Sequence, residues 1–92
     1  MIDPPEVIAR RLKALRKALN YKTQAKFAKD IGLERNVYNP FERAKRELTF
    51  EAACLIRKRF GVPLDWLFFG EAAQLPGPIY DKIEREQKRA AA

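Results

Sequence analysis

The stretch 24–43, QAKFAKDIGLERNVYNPFER, decides how the rest of the chain is read. It divides into two short amphipathic runs. In the first, Phe27, Ala28 and Ile31 recur at helical spacing on one face. Gly32 stands where a chain reversal needs φ > 0, a region glycine enters without steric cost. Leu33 is apolar and plugs the corner. From Arg35 to Arg43 a period near 3.6 begins again, with Tyr38 and Phe41 pointing inward. Arg35, Asn39 and Arg43 lie four apart on another face, with Asn36 beside them. Small Ala28 opposite a glycine turn lets the two runs cross closely. The spacing predicts two helices joined by a tight turn.

The flanks supply the helices that such a pair packs against. Asp3-Pro4-Pro5-Glu6 reads as a helix start, with Asp3 as cap, Pro4 in the first turn and Glu6 three residues on. Ile8, Leu12, Leu15 and Leu19 then form a buried stripe, and Arg10, Arg11, Lys13, Arg16 and Lys17 a solvated face. Thr23 caps the second helix. Downstream, Thr49 caps a fourth helix with Glu51 in its first turn. Phe50, Ala53, Ile56 and Phe60 form its inward stripe, with Leu55 beside it and Cys54 packed as a small apolar residue. Arg57, Lys58 and Arg59 complement the dipole of its last turn, and Gly61 closes it.

A short fifth helix follows, with Trp66 and Leu67 in the core. Four bulky residues in a row cannot all face inward, so Phe68 or Phe69 reaches the surface. Two prolines flanking Gly77 make 71–78 a linker. Ile79, Tyr80 and Ile83 then give a narrow stripe on a polar final helix to about Arg89. Asp81 with Arg85 and Glu84 with Lys88 are opposite charges four apart. A stripe this narrow cannot hold a helix alone, so it docks on Phe68 or Phe69 of its own chain or a partner's. A frayed tail over 90–92 ends the chain.

Two helices joined by such a turn form a helix-turn-helix, whose second helix can lie in the DNA major groove. From about Ala9 to Gly70 the pieces RLKALRKAL, TQAKFAKDIGL, YNPFERAKREL and TFEAACLIRKRFGVPLDWLFFG together resemble the phage-repressor-like (Cro/C1, XRE-type) DNA-binding domains. The set is specific; no one piece would be. The resemblance implies an all-α, five-helix lambda-repressor-like domain over 1–70, followed by the linker 71–78 and a C-terminal helix and tail over 79–92. It places Arg35, Asn36 and Asn39 where bases are read, and Arg and Asn can bond guanine and adenine in a bidentate way. Lys22, Thr23, Gln24, Lys26, Arg43, Lys45 and Arg46 fall to the DNA backbone, which gives affinity without sequence information. In the family resembled, a Gln at position 24 both meets the backbone and buttresses the next helix.

The chain departs from the family pattern twice. Pro40 lies inside the expected recognition helix, where it removes a backbone donor and crowds the preceding turn. Asn39-Pro40-Phe41-Glu42 itself resembles a helix start, so the expectation is a break into Arg35–Tyr38 and Pro40–Arg46 with Asn39 as cap. Ala44 replaces the usual Gly after Glu-Arg. Because Ala is a poor stop, the second piece is expected to run to about Arg46.

Composition bounds the functions. Ninety-two residues allow one small domain, and a modest core of this size favours a homodimer. Nineteen basic against twelve acidic residues give +7, which suits a polyanion such as double-stranded DNA, or an anionic membrane surface. There is no histidine and one cysteine, hence no zinc site of Cys/His type and no internal disulfide. Neither a glycine-rich phosphate loop nor a nucleophile beside a base is present, so no enzyme activity, cofactor or small-molecule ligand is expected. Met1 to Pro5 has no leader character and no apolar run approaches a membrane span, so the expectation is a cytoplasmic protein. Phe68, Phe69, Ile79, Tyr80 and Ile83 form the expected dimer face. Two function classes fit: a sequence-specific DNA-binding regulator, repressor-like on a near-palindromic operator, or a helix-turn-helix module with weakened or no DNA binding that contacts a protein partner as an antiactivator or antitoxin-like subunit. Pro40 and the exposed aromatics favour the second; the charge and the Arg35, Asn36, Asn39 face favour the first.

Overall fold

The computed structural model describes residues 1–91; of the tail expected at 90–92, Ala92 lies outside them. Among the described residues all regular structure is helical: α1 Pro5–Ala18, α2 Gln24–Ile31, α3 Arg35–Glu42, α4 Phe50–Phe60, α5 Leu64–Phe69 and α6 Gly77–Ala91. The fold is the lambda-repressor-like one expected, with a sixth helix laid against it.

One core runs through all six elements. Ile8, Leu12 and Leu15 of α1 are fully buried, as are Phe27 and Ala28 of α2, Tyr38 of α3, Ile56 of α4, Val62 and Leu67. Leu19, the last residue of the expected α1 stripe, is only half-buried, because the helix ends at Ala18. Phe27 anchors the centre, edge-on to Tyr21 at 5.3 Å, stacked on Phe60 at 5.6 Å and beside Tyr38 at 5.2 Å. Each such aromatic contact adds about 0.5–1.5 kcal/mol beyond its area burial. The ring cluster therefore fixes α2, α3 and α4 to one another.

The helix ends show local chemistry deciding the chain's path. Thr23 accepts from the Lys26 amide at 3.2 Å and Thr49 from the Ala52 amide at 3.1 Å, each satisfying a first-turn donor. Gly32 ends α2 at φ 96°, and the Leu33 amide donates back to the Ala28 carbonyl at 2.8 Å. The expected cap at Asp3 is not formed. Pro4 occupies that position with no side-chain bond, and the Asp3 carboxylate instead pairs with the Arg11 guanidinium. Arg11 also donates to the Leu67 carbonyl at 3.2 Å, so the chain start, α1 and α5 are tied through one side chain. That removes Arg11 from the solvated face.

Several other expectations are corrected by packing. Phe50 is 68% exposed rather than inward, since the first residue of α4 precedes the buried stripe of Ala52, Ala53 and Ile56. Cys54 is half-buried, not in the core. Phe69 is exposed and Phe68 half-buried, as four consecutive bulky residues require. The last helix begins at Gly77 and runs to Ala91, past Arg89, and Leu75 just before it is buried. It docks chiefly on α1, and Ile83 enters the common core, against which half-buried Phe68 and Ile79 also pack, at 3% exposure. Ile83 is therefore withdrawn from the expected dimer face. Glu84 meets Lys88 at 3.3 Å, whereas Arg85 turns to the carbonyl of Asp81 instead of its carboxylate.

Candidate nucleic-acid interface

The decisive local question is α3. Pro40 does not break it: Arg35–Glu42 is one helix, with Pro40 in its interior. Asn39 is thus mid-helix and is not a cap. The proline ring cannot donate to the carbonyl of Asn36 one turn back, a real cost, but the inner face of the helix outweighs it. Tyr38, Phe41 and Glu42 are all buried. The helix then stops at Glu42 instead of reaching Arg46. Ala44 takes the left-handed conformation at φ 58°, its amide donates to the Phe41 carbonyl at 3.4 Å, and the Lys45 amide donates to the Pro40 carbonyl at 2.9 Å. This is the reversal a glycine makes at such an end, adopted by alanine at a strain cost of about 1–2 kcal/mol.

Beneath α3 lies a buried polar network that the sequence reading missed. Arg16 and Glu42 are both buried charges, at 7% and 8% exposure. The guanidinium grips the carboxylate through Nε at 3.0 Å to Oε2 and Nη2 at 2.9 Å to Oε1. Its remaining nitrogen donates to the Tyr21 carbonyl at 2.9 Å, in the loop entering α2. The Tyr38 hydroxyl donates to Glu42 Oε2 at 2.7 Å, and Gln24 Nε2 to Oε1 at 3.2 Å. Burial first, then the Glu42 charge, pushes the Tyr38 hydroxyl far above its ordinary range, so it remains a donor. No buried side-chain polar atom among the described residues lacks a partner. A buried charge pair is tolerable only when completed in this way. Arg16 sits between Leu15 and Lys17 in a basic run, and no local spacing distinguishes it from its solvated neighbours; a lone Glu beside two inward aromatics on α3 was the available signal.

The network orients the candidate DNA-facing residues. Gln24, the first residue of α2, accepts from the Asn39 amide while donating to Glu42. Asn39 is half-buried, with one of its two amide protons committed to Gln24. Arg35 and Asn36, in the first turn of α3, are exposed and bond to no side chain among the described residues. Val37 is also exposed, at 43%, an apolar side chain on the outer surface that the sequence reading did not single out. Lys22, Thr23, Arg43, Lys45 and Arg46 are exposed as well. Lys26 is exposed but leans toward Asp30 at 3.5 Å, a pair worth little at the surface. Asp30 itself is held below the usual carboxylate range, chiefly by the hydroxyl of Tyr21 at 2.6 Å.

The structure therefore brings Gln24, beside Thr23 at the start of α2, to Asn39 of α3, while Arg35 and Asn36 lie one turn earlier on that helix. Phe69 and Tyr80 are exposed at 45% and 42%, on α5 and α6. Among the described residues no helix is long and apolar enough to cross a membrane. A family model described as Helix-turn-helix matches residues 12–67, more than half of the chain and the whole of α2 to α4. Comparison with curated proteins and with solved structures gave no match.

Proposed function

The chain belongs to the phage-repressor-like (Cro/C1, XRE-type) helix-turn-helix family of DNA-binding regulators, and from that premise we propose that it reads one specific double-stranded sequence through the first turn of α3. The observation that carries this is the contrast across α3: an inner face locked by Glu42 and an outer face on which Arg35 and Asn36 stand free. A rigid helix with uncommitted Arg and Asn side chains is what bidentate reading of guanine and adenine requires. Asn39 contributes its carbonyl oxygen and second amide proton while steadying Gln24. Pro40, one of the two features that spoke for a protein-binding module, leaves α3 unbroken.

Backbone contacts fall to Lys22, Thr23, Gln24, Lys26, Arg43, Lys45 and Arg46. The free amides at the start of α2 and the positive end of its dipole suit a phosphate. As a homodimer the protein would set two copies of α3 about 34 Å apart on a near-palindromic operator. Phe69 and Tyr80, with half-buried Phe68 and Ile79, supply apolar surface for that association.

The test is a selection of bound duplexes from a random pool, followed by titration of the selected site. Arg35→Ala and Asn36→Ala should each weaken specific binding by about 1–3 kcal/mol and change binding to random duplex less. Lys45→Ala or Arg46→Ala should weaken all sequences alike and lower the salt slope by about one unit. Equal losses by Arg35→Ala on selected and random duplex would remove base reading from α3.

A further inference from the structure

The groove between α1 and α6 carries a charge arrangement that the helix-turn-helix does not use. It encloses about 600 Å³ along the two helices and runs on into a second hollow of about 240 Å³ at the C-terminal end of α1. Its cations are Arg10, Lys13 and Lys17 from α1 and Lys82, Arg85 and Arg89 from α6. Glu86 is the one carboxylate among the described residues that line it, and it is taken by Arg89 at 3.0 Å. Among the described residues Arg10, Lys13, Lys17, Lys82 and Arg85 pair with no carboxylate. Like charges held within a Debye length, about 10 Å at 0.1 M salt, repel one another until an external anion arrives.

From this geometry we infer that the α1–α6 groove is a second binding site for the phosphodiester backbone, engaging DNA that flanks the sequence read by α3. The inference rests on the DNA-binding reading above. Two observations select a phosphate track over an acidic protein segment. The first is continuity. Lys17 and Asn20 line the second hollow, and Asn20 leads through Tyr21, whose carbonyl Arg16 holds, to Lys22 and Thr23 at the start of α2. The groove therefore ends within two residues of Lys22, the first candidate phosphate contact of the helix-turn-helix. The second is the absence of an anchor. The apolar lining side chains are Ala14, Ala18 and Ala90, with no aromatic or branched residue among them. A protein partner would need a buried anchor of that kind, whereas a phosphate row needs only spaced cations on apolar stems. α6 is then more than a brace on the core: its inner stripe docks through Ile83 and its outer cations extend the DNA-facing surface.

The experiment compares the full chain with a Lys82→Gln/Arg85→Gln double variant, and with a Lys82→Arg/Arg85→Lys control that keeps the charge. Both positions are exposed and outside the core, and thermal melting confirms that each variant folds. Two duplexes are used: one limited to the selected site and one extended by about one helical turn on each side. The Gln variant should lower the log–log salt slope by about two units on the extended duplex and leave the short duplex unchanged, with the control matching the parent. Equal slopes for parent and Gln variant on the extended duplex would overturn the inference. So would binding of polyglutamate that the Gln variant abolishes while its DNA slopes stay at parent values, which assigns the groove to an acidic protein. A parent that prefers no sequence would sink the reading of α3 instead, and a slope loss on extended random duplex would still support the groove.

Discussion

Arg16 and Arg35 are the same residue put to opposite uses on the two sides of α3. Arg16 reaches the inner side, loses nearly all contact with water and is satisfied by Glu42 and the Tyr21 carbonyl. Arg35 stands on the outer side, exposed and without a side-chain partner among the described residues. The inner charge fixes where α1, α2 and α3 sit relative to one another. On the proposed reading, the outer charge is the one offered to DNA, on a helix that the inner pair holds in place. Position in the fold, not residue type, separates the charge that ties three helices together from the charge proposed to meet DNA.

The strongest way to break this contrast is at Glu42. Glu42→Ala leaves the Arg16 guanidinium buried without its counter-charge and should cost about 3–5 kcal/mol of stability. In a domain of this size each kcal/mol corresponds to about 4–8 °C in Tm, so thermal melting reads the loss directly. An Arg16→Met/Glu42→Leu double variant should recover much of it, because two apolar side chains can fill the same space without an orphaned charge. A double variant no more stable than Glu42→Ala would show that Tyr38 and Gln24, which also bond Glu42, carry the larger share. Arg35→Ala, by contrast, should leave stability within about 0.5 kcal/mol of the parent, as exposed substitutions generally do.

Pro40→Ala sharpens the comparison from the outer side. Restoring an amide that can donate to the Asn36 carbonyl should raise stability by up to about 3 kcal/mol, since the helix is already continuous. Affinity for the selected duplex should hold or rise. Higher Tm with lost affinity would mean that the proline shapes the outer face in a way the target requires. A smaller gain is expected at the end of both faces. Ala44→Gly should add about 1 kcal/mol, because glycine meets no steric cost at φ 58°, and DNA affinity should not change. A destabilised glycine variant would mean that the Ala44 side chain, half-buried, contributes packing that exceeds its strain.

Much of this was legible before any coordinates. Phe27, Ala28 and Ile31, then Tyr38 and Phe41, announced the two crossing helices through their spacing, and all five are buried. Thr23, Thr49 and Gly32 act where local chemistry placed them, as caps and as the left-handed turn. What failed was local logic applied where long-range contacts dominate. Asn39-Pro40 resembled a helix start because a proline at a first turn costs nothing, yet burial of Tyr38, Phe41 and Glu42 on one face holds the helix straight through it. Ala44 appeared unable to stop a helix, yet the chain must turn there for Leu48 to reach the core at 5% exposure.

The sequence by itself determined the helical class of the domain, the turn between α2 and α3, most of the inward stripes and the excess of positive charge, because each is encoded within a few residues of itself. Tertiary structure alone decided which charges are buried. Arg11 and Arg16 lie in one basic run with Arg10, Lys13 and Lys17, and only the arrival of Asp3 and Leu67 at one, and of Glu42 and Tyr21 at the other, separates them from their solvated neighbours. It likewise decided that α6 rests on α1 through Ile83 and leaves a row of cations facing outward. A helix's periodicity states which face is apolar; the surface that face will meet depends on contacts between segments as far apart in the chain as α1 and α6, and no local pattern specifies them.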